Sequence, residues 1–165
     1  MSLMLTSPGD DGIEMAEMNR WEAPLDALDI FVGEWIMTAS FARGPVEAPR
    51  ARTSFEWLAG RRFLVQRWEV EHPDAPDGIA IIGFDTAEVE LLQHYFDSRG
   101  VARVYDMTFS DNVWTLERHA PAPDFSQRFS GAFSDDGNTI AGRWESSSDG
   151  SGWKPDFDLS YTRVR

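Results

Sequence analysis

The residues best suited to chemistry in this sequence are polar side chains that interrupt apolar, alternating runs. Arg103 and Tyr105 alternate in phase with two apolar residues, Met107 and Phe109. A charged guanidinium on an otherwise apolar face is costly unless a partner or water reaches it. The pattern therefore indicates either arginines at the rim of a core or a partly hydrated cavity that holds a polar group.

Two further polar side chains follow the same pattern. Arg118 shares its face with Trp114, and Gln127 lies between Phe125 and Phe129 in an alternating run. Arginine donors form a planar fork that suits a carboxylate, while large aromatic rings can cover an apolar tail. The hypothesis is a bound small amphiphile, and its predicted ligand-binding residues are Arg103, Tyr105, Arg118, Gln127, Trp68, Trp144 and His94.

The three histidines are candidates for ligand contact or catalysis. His72 lies in a proline-containing loop, and His119 alternates with the outward residues of its run. His94 shares its phase with Leu92 and Phe96, which predicts an inward side chain. His94 is therefore the histidine that remains as a candidate site residue.

No recognised catalytic motif occurs in the chain. The sequence has no Gly-x-Ser-x-Gly, no glycine-rich phosphate loop and no His-Glu-x-x-His. The acidic residues near Asp149 lack the ligand spacing of a calcium loop. A protein without a cofactor or metal, and more a binder than an enzyme, is the expectation.

Composition limits the partners that we expect. The chain has 165 residues, no cysteine and a formal net charge of −13. An acidic protein is a poor match for nucleic acid or an anionic membrane, and a chain without cysteine has no disulfides or thiolate metal sites. The N-terminus lacks the basic and apolar pattern of a signal peptide, so a cytoplasmic location is predicted.

From Trp35 onward, apolar residues recur at every second position, the period of half-buried strands. Turn-like segments separate these runs, including Asp-Gly pairs at 77–78, 136–137 and 149–150, which supply the positive φ angles of tight turns. The connections are too short for helical crossovers. The predicted fold class is all-β: a closed antiparallel up-and-down β-barrel of about ten strands with a short N-terminal helix, since closure removes exposed edges.

The chain is predicted to consist of an arm and one domain. Residues 1–20 show no periodicity and hold several acidic residues, which predicts an N-terminal acidic arm. Residues 21–165 have a length that suits one core and are predicted to form the barrel domain. The arm is one segment through which the protein can form a homo-oligomer.

One end of a closed barrel must be plugged against water, and the segment before the first strand fits this role. Leu25, Leu28 and Phe31 follow helical spacing, which predicts a short helix. The Gly-x-Trp that follows ends in Trp35, whose large ring can cover the barrel floor. Arg163, in the last predicted strand, is placed to stack on that ring.

The ordered segments FVGEW, GFDT, HYFDSRG and DFDLSYTRV resemble a family of small bacterial barrel domains of unknown function. More broadly, FVGEW before a meander that ends in YTR resembles the calycin superfamily of lipocalins and fatty-acid-binding proteins. The resemblance implies a barrel over most of residues 25–165. Fatty-acid-binding barrels hold a carboxylate with an Arg and Tyr pair, a role that the resemblance carries to Arg103 and Tyr105. Haem-binding, nitrobindin-like relatives use a late His, and no His follows His119, which argues against haem.

Three functions remain open from the sequence. The first is a cytoplasmic barrel that binds a small hydrophobic or amphiphilic ligand. The second is a barrel enzyme of isomerase or cyclase type, as in a few members of the superfamily, which requires a titratable group such as His94 or Asp106 inside the cavity. The third is a solid structural or self-association module, since several large tryptophan rings fall at inward positions and can fill the interior.

Overall fold

The structure, a computed structural model, describes residues 22–41, 50–88 and 90–164. Within those residues ten antiparallel strands pair in sequence order, and the first strand pairs with the last to close one barrel. This arrangement is an up-and-down meander without crossovers, so the predicted fold class is confirmed. The predicted acidic arm, residues 1–20, lies outside the described residues.

The sheet is preceded by a helical segment over residues 22–31, whose last part, Ala27–Phe31, is a 3-10 helix. The strands are β1 Gly33–Phe41, β2 Arg50–Trp57, β3 Phe63–Val70, β4 Gly78–Asp85, β5 Glu90–Asp97, β6 Ala102–Ser110, β7 Val113–Arg118, β8 Ser126–Phe133, β9 Thr139–Ser147 and β10 Lys154–Arg163.

The helical segment plugs one end of the barrel, as the sequence predicted. Leu28, Phe31 and Trp35 are completely buried, and the ring of Phe31 packs edge-on against Trp114 with 5.2 Å between centroids. Burial of these large apolar side chains removes water from the barrel floor and ties the helix to the sheet. The opposite end of the barrel is formed by the other set of strand ends and their loops.

Arg163 fastens the plug from the last strand. Its guanidinium carbon lies 4.0 Å from the ring centroid of Trp35, and it donates hydrogen bonds to the carbonyls of Ile30 and Val32 at 2.6 and 2.7 Å. Trp35 Nε1 donates to the carbonyl of Phe31 at 2.8 Å. The chain turns into β1 at Gly33 with a φ of 128°, a conformation that favours glycine.

One predicted turn is wrong. Gly137 and Gly150 have the positive φ expected of Asp-Gly turns, but Gly78 is the first residue of β4 and has no positive φ. A Cβ at Gly78 would lie 2.1 Å from a ring carbon of Trp68. Glycine is required there because the indole packs directly on the backbone, not because the chain turns.

Candidate functional site

The open end of the barrel leads into a cavity of about 280 Å³. Inward side chains of every strand except β4 line it, together with residues of the β3–β4 and β5–β6 connections such as Pro76 and Arg99. The volume lies near the lower end of the roughly 300–1,000 Å³ of small-molecule pockets. The barrel is therefore not solid, although its floor is filled by the plug.

Three polar side chains form a cluster on the β6–β8 side of the cavity. Arg103 Nη1 and the Tyr105 hydroxyl, at 2.9 Å, both donate to Gln127 Oε1. The three come together because β6 and β8 flank β7, and alternation turns all three toward the interior. Burial of the Tyr105 hydroxyl raises its pKa, so this phenol is a neutral hydrogen-bond donor at neutral pH.

The charge of Arg103 has no carboxylate partner among the described residues. It donates to the neutral amide of Gln127 and lies against the ring of Phe125, whose centroid is 4.9 Å from the guanidinium carbon. Gln127 occupies one N–H of the guanidinium, which carries five. Several charged donors therefore remain at the mouth of the cavity.

Aromatic side chains form the walls. Trp68 stacks on Tyr95 with 5.4 Å between ring centroids and donates from Nε1 to the carbonyl of Pro76 at 3.0 Å. On the other side, Trp144 packs against Phe129 at 5.2 Å and Tyr105 at 5.5 Å. These rings give the cavity a mainly apolar surface that suits the tail of an amphiphile.

Asp97 supports the wall at the mouth. Its carboxylate accepts hydrogen bonds from the Tyr95 hydroxyl at 2.9 Å and from Arg99 Nη2 at 2.6 Å. Burial opposes ionisation of Asp97, but the bonds from Arg99, Tyr95 and the backbone N–H of Val101 outweigh it and lower the pKa of Asp97 to about 2. Asp97 therefore stays charged and holds Tyr95 and Arg99 in place.

Polar groups also lie deeper in the cavity. Gln66 Nε2 donates to Thr53 Oγ1 at 3.3 Å, and the Tyr161 hydroxyl is buried, which raises its pKa. Gln93 Oε1 and Trp114 Nε1 are buried without a hydrogen-bond partner among the described residues. All of these residues except Thr53 line the cavity.

Five of the seven predicted site residues line the cavity. Arg103, Tyr105, Gln127, Trp68 and Trp144 share this one space. The inward side chains that the prediction omitted include Gln93, Tyr95 and Tyr161. Gln93 and Tyr95 lie on the same face of β5 as Leu91, so an inward assignment of Leu91 would have identified both residues. Apolar residues also occupy the other face of that strand, so the sequence pattern did not distinguish the two faces.

The prediction that His94 faces inward is wrong. His94 is exposed, and its partners in register are Ile81 and Val104, which lie on the outer faces of β4 and β6. The inward positions of β5 belong to Gln93 and Tyr95. The register with two neighbouring strands sets the phase of β5, since a shift by one residue would reverse every side chain.

Arg118 has the inward phase but does not line the cavity. It lies at the last residue of β7, where it pairs with the Asp124 carboxylate and donates to the carbonyl of Phe125 at 3.0 Å. Both partners belong to the β7–β8 connection. Arg118 therefore fastens this rim loop, and Arg103 is the arginine of the two that faces the cavity.

The lining that the structure describes contains no His, Asp, Glu or Lys side chain. Its ionisable side chains are Tyr95, Tyr105, Tyr161, Arg99 and Arg103, and burial raises the pKa of all three tyrosines. Asp106, named with His94 as a titratable group for an enzyme, is exposed on the outer face of β6. In the described residues, no three His, Asp or Glu side chains are grouped so as to hold a metal ion.

Comparisons with known proteins define the class by fold. No protein-family model matches the chain, and no curated protein matches it. Among solved structures it is similar to the crystal structure of Rv2717c from M. tuberculosis, with a TM-score of 0.57 and 12% identity over 88% of this chain and 99% of that chain. The protein is thus a closed ten-stranded antiparallel barrel, as the described residues show, and the likeness concerns the fold alone.

The part of the chain that the structure describes contains no helix with the length and apolar character needed to cross a bilayer.

Proposed function

We propose that this barrel binds a small amphiphilic molecule with an anionic head, such as a carboxylate, in its cavity. The observation that carries the proposal is Arg103, whose guanidinium forms no ion pair with a carboxylate of the described residues and lies beside a mainly apolar cavity. A ligand carboxylate would accept hydrogen bonds from the free guanidinium donors in a bidentate arrangement.

The surroundings of Arg103 favour a bound anion over an internal ion pair. The nearby carboxylate of Asp124 is engaged by Arg118, and Asp97 is engaged by Arg99 and Tyr95. Gln127 fixes Arg103 through a neutral oxygen, so it orients the guanidinium without cancelling its charge. The head of the ligand would therefore supply the negative charge that is missing at the mouth.

The size of the cavity favours a short ligand. Its volume of about 280 Å³ lies just below the roughly 300–1,000 Å³ of small-molecule pockets. Octanoate is a short amphiphile with a carboxylate head, and its apolar chain would lie against the rings of Trp68, Trp144 and Phe129. The acidic charge of the chain keeps nucleic acid and anionic membranes outside the proposed partners.

Isothermal titration calorimetry with octanoate tests the proposal. We expect the unmodified protein to bind octanoate and Arg103→Met to bind it roughly 10- to 100-fold more weakly, as for a lost hydrogen bond to a charged group. Arg143→Met is the matched control, because Arg143 pairs with Asp158 on the outer surface. Failure of octanoate to bind, or equal affinity in Arg103→Met, would contradict the proposal.

The other two functions have weaker support. Both named candidates for acid–base catalysis, His94 and Asp106, are exposed on the outer surface, and this removes the case for an enzyme built on them. Self-association is favoured by one observation: Phe96 and Val104 are exposed apolar side chains on the outer faces of β5 and β6. It stays a prediction, as does the cytoplasmic location.

A further inference from the structure

Two buried polar atoms inside the cavity have no partner. Gln93 Oε1 and Trp114 Nε1 are the side-chain atoms of the described residues that are buried and unpaired. Gln93 is 4% exposed and Trp114 is 2% exposed, and both residues line the cavity. Buried polar groups are nearly always hydrogen-bonded, and leaving one unpaired destabilises the protein. Their position in a cavity indicates that a bound molecule can supply the partners.

Both atoms lie deeper in the barrel than Arg103. On the pair of strands β5 and β6, Tyr95 faces Arg103, and Gln93 faces Tyr105, one inward position further from the open end. Trp114 lies two inward positions deeper again, opposite Phe109 of β6, with its ring against Phe31 on the side of the plug. A ligand whose head is at Arg103 would therefore present its tail to these two groups.

The two atoms require opposite hydrogen-bonding roles. The indole N–H of Trp114 is a donor only, so it needs an acceptor, whereas the amide oxygen of Gln93 needs a donor. A hydroxyl group can act in both roles, but an unsubstituted alkyl or aryl tail can act in neither. If the amide of Gln93 were turned over, its NH₂ would also be satisfied by a hydroxyl oxygen.

We propose that the ligand of this cavity is a hydroxylated carboxylic acid, with its carboxylate at Arg103 and its hydroxyl in the interior, at the depth of Gln93 or of Trp114. This inference rests on the proposed function and adds a second polar group to the ligand. The interior pair then selects against simple fatty acids of the same length, because their tails leave Gln93 and Trp114 unpaired.

The test compares octanoate, octanol and a set of hydroxyoctanoates that carry the hydroxyl at successive carbons, each titrated calorimetrically into the full-length chain. We expect at least one hydroxyoctanoate to bind roughly tenfold more tightly than octanoate, the ratio expected for one net hydrogen bond. In Gln93→Leu this advantage should disappear for the isomer whose hydroxyl lies at the depth of Gln93, so that this isomer binds no more tightly than octanoate to the same variant.

Trp114→Phe is the second variant, and it carries the test if Gln93→Leu does not fold. It removes the indole N–H but keeps a ring against Phe31, so the isomer whose hydroxyl lies at the depth of Trp114 should lose its advantage over octanoate. Gln127→Leu is the contrast, since Gln127 contacts the head-group arginine; it should weaken both kinds of acid alike and keep their ratio.

The outcomes separate the two proposals. If octanoate binds and no hydroxyoctanoate binds more tightly, or if the preference survives in both Gln93→Leu and Trp114→Phe, the inference is overturned and the proposed function stands. If octanol binds in a Gln93-dependent way while none of the acids binds, the carboxylate head at Arg103 is overturned and the interior hydroxyl site is supported. If none of the compounds binds, both proposals are overturned.

Discussion

Replacing Trp35 with alanine tests whether the plugged end holds the barrel together. Trp35 is completely buried, donates one hydrogen bond to the carbonyl of Phe31 and carries the guanidinium of Arg163 on its ring at 4.0 Å. Its removal would open a cavity between the helix and the sheet at the point where β1 begins.

The expected loss of stability follows from these contacts. Truncation of a buried Trp to Ala costs about 3–5 kcal/mol. The carbonyl of Phe31 loses a hydrogen bond worth about 1 kcal/mol, and Arg163 loses a cation–π contact worth about 0.5–2 kcal/mol. Because these contributions overlap, we expect a total loss of about 4–6 kcal/mol. That is a large part of the roughly 5–15 kcal/mol by which domains are stable.

Urea denaturation followed by circular dichroism measures this loss as a change in the free energy of unfolding. Trp35→Phe should fall in between, at about 1–3 kcal/mol, because it keeps a ring but loses the N–H donor. The control is Trp153→Ala, a truncation of the same size at the open rim, where Trp153 is half-buried beside Arg128; it should cost about 1 kcal/mol. If Trp35→Ala unfolds at the same urea concentration as Trp153→Ala, the helix is not the structural plug described here.

Two further predictions concern the cavity wall. Gly78→Ala should lower the free energy of unfolding by about 1–3 kcal/mol and weaken octanoate binding, because its Cβ would displace the ring of Trp68. The control is Gly152→Ala, where a Cβ meets ordinary contacts, and its free energy of unfolding should be close to that of the unmodified protein. Equal free energies of unfolding in the two variants would contradict the packing argument. Asp97 has a pKa lowered from 3.8 to about 2 in the folded protein, so it contributes stability that is present above about pH 4 and is lost as the pH falls toward 2. In Asp97→Asn the unfolding temperature should therefore fall less steeply between about pH 4 and pH 2 than in the unmodified protein. An equally steep fall would show that other carboxylates cause the loss of stability in acid.

The sequence predicted only some of the residues that line the cavity, and a comparison of two arginines shows the reason. Arg103 and Arg118 both have the inward phase, and their side-chain type does not distinguish them. Arg118 lies at the end of β7, where the carboxylate of Asp124 comes within reach from the following loop. Arg103 instead donates to the neutral amide of Gln127 and lies against the ring of Phe125, a difference that arises from contacts between β6 and β8, which are distant in sequence.

The sequence by itself determined the class of fold and the plugged end. Alternation with a period of two, short connections and the helical spacing of Leu25, Leu28 and Phe31 are local features, and each limits the chain to few structures. Arg163 could be paired with Trp35 in advance because a closed meander brings the last strand beside the first. Local periodicity and closure together were therefore enough to predict the architecture.

Only the tertiary structure decided which side chains share the interior. On β5 both phases are apolar, so the choice between His94 and Gln93 depended on the register with β4 and β6. Whether the barrel was hollow depended on how the large rings pack around the closed circle of strands, for example where Gly78 lets Trp68 lie against the wall. These are relations between residues that are distant in the sequence, and no local pattern encodes the distances that fix them.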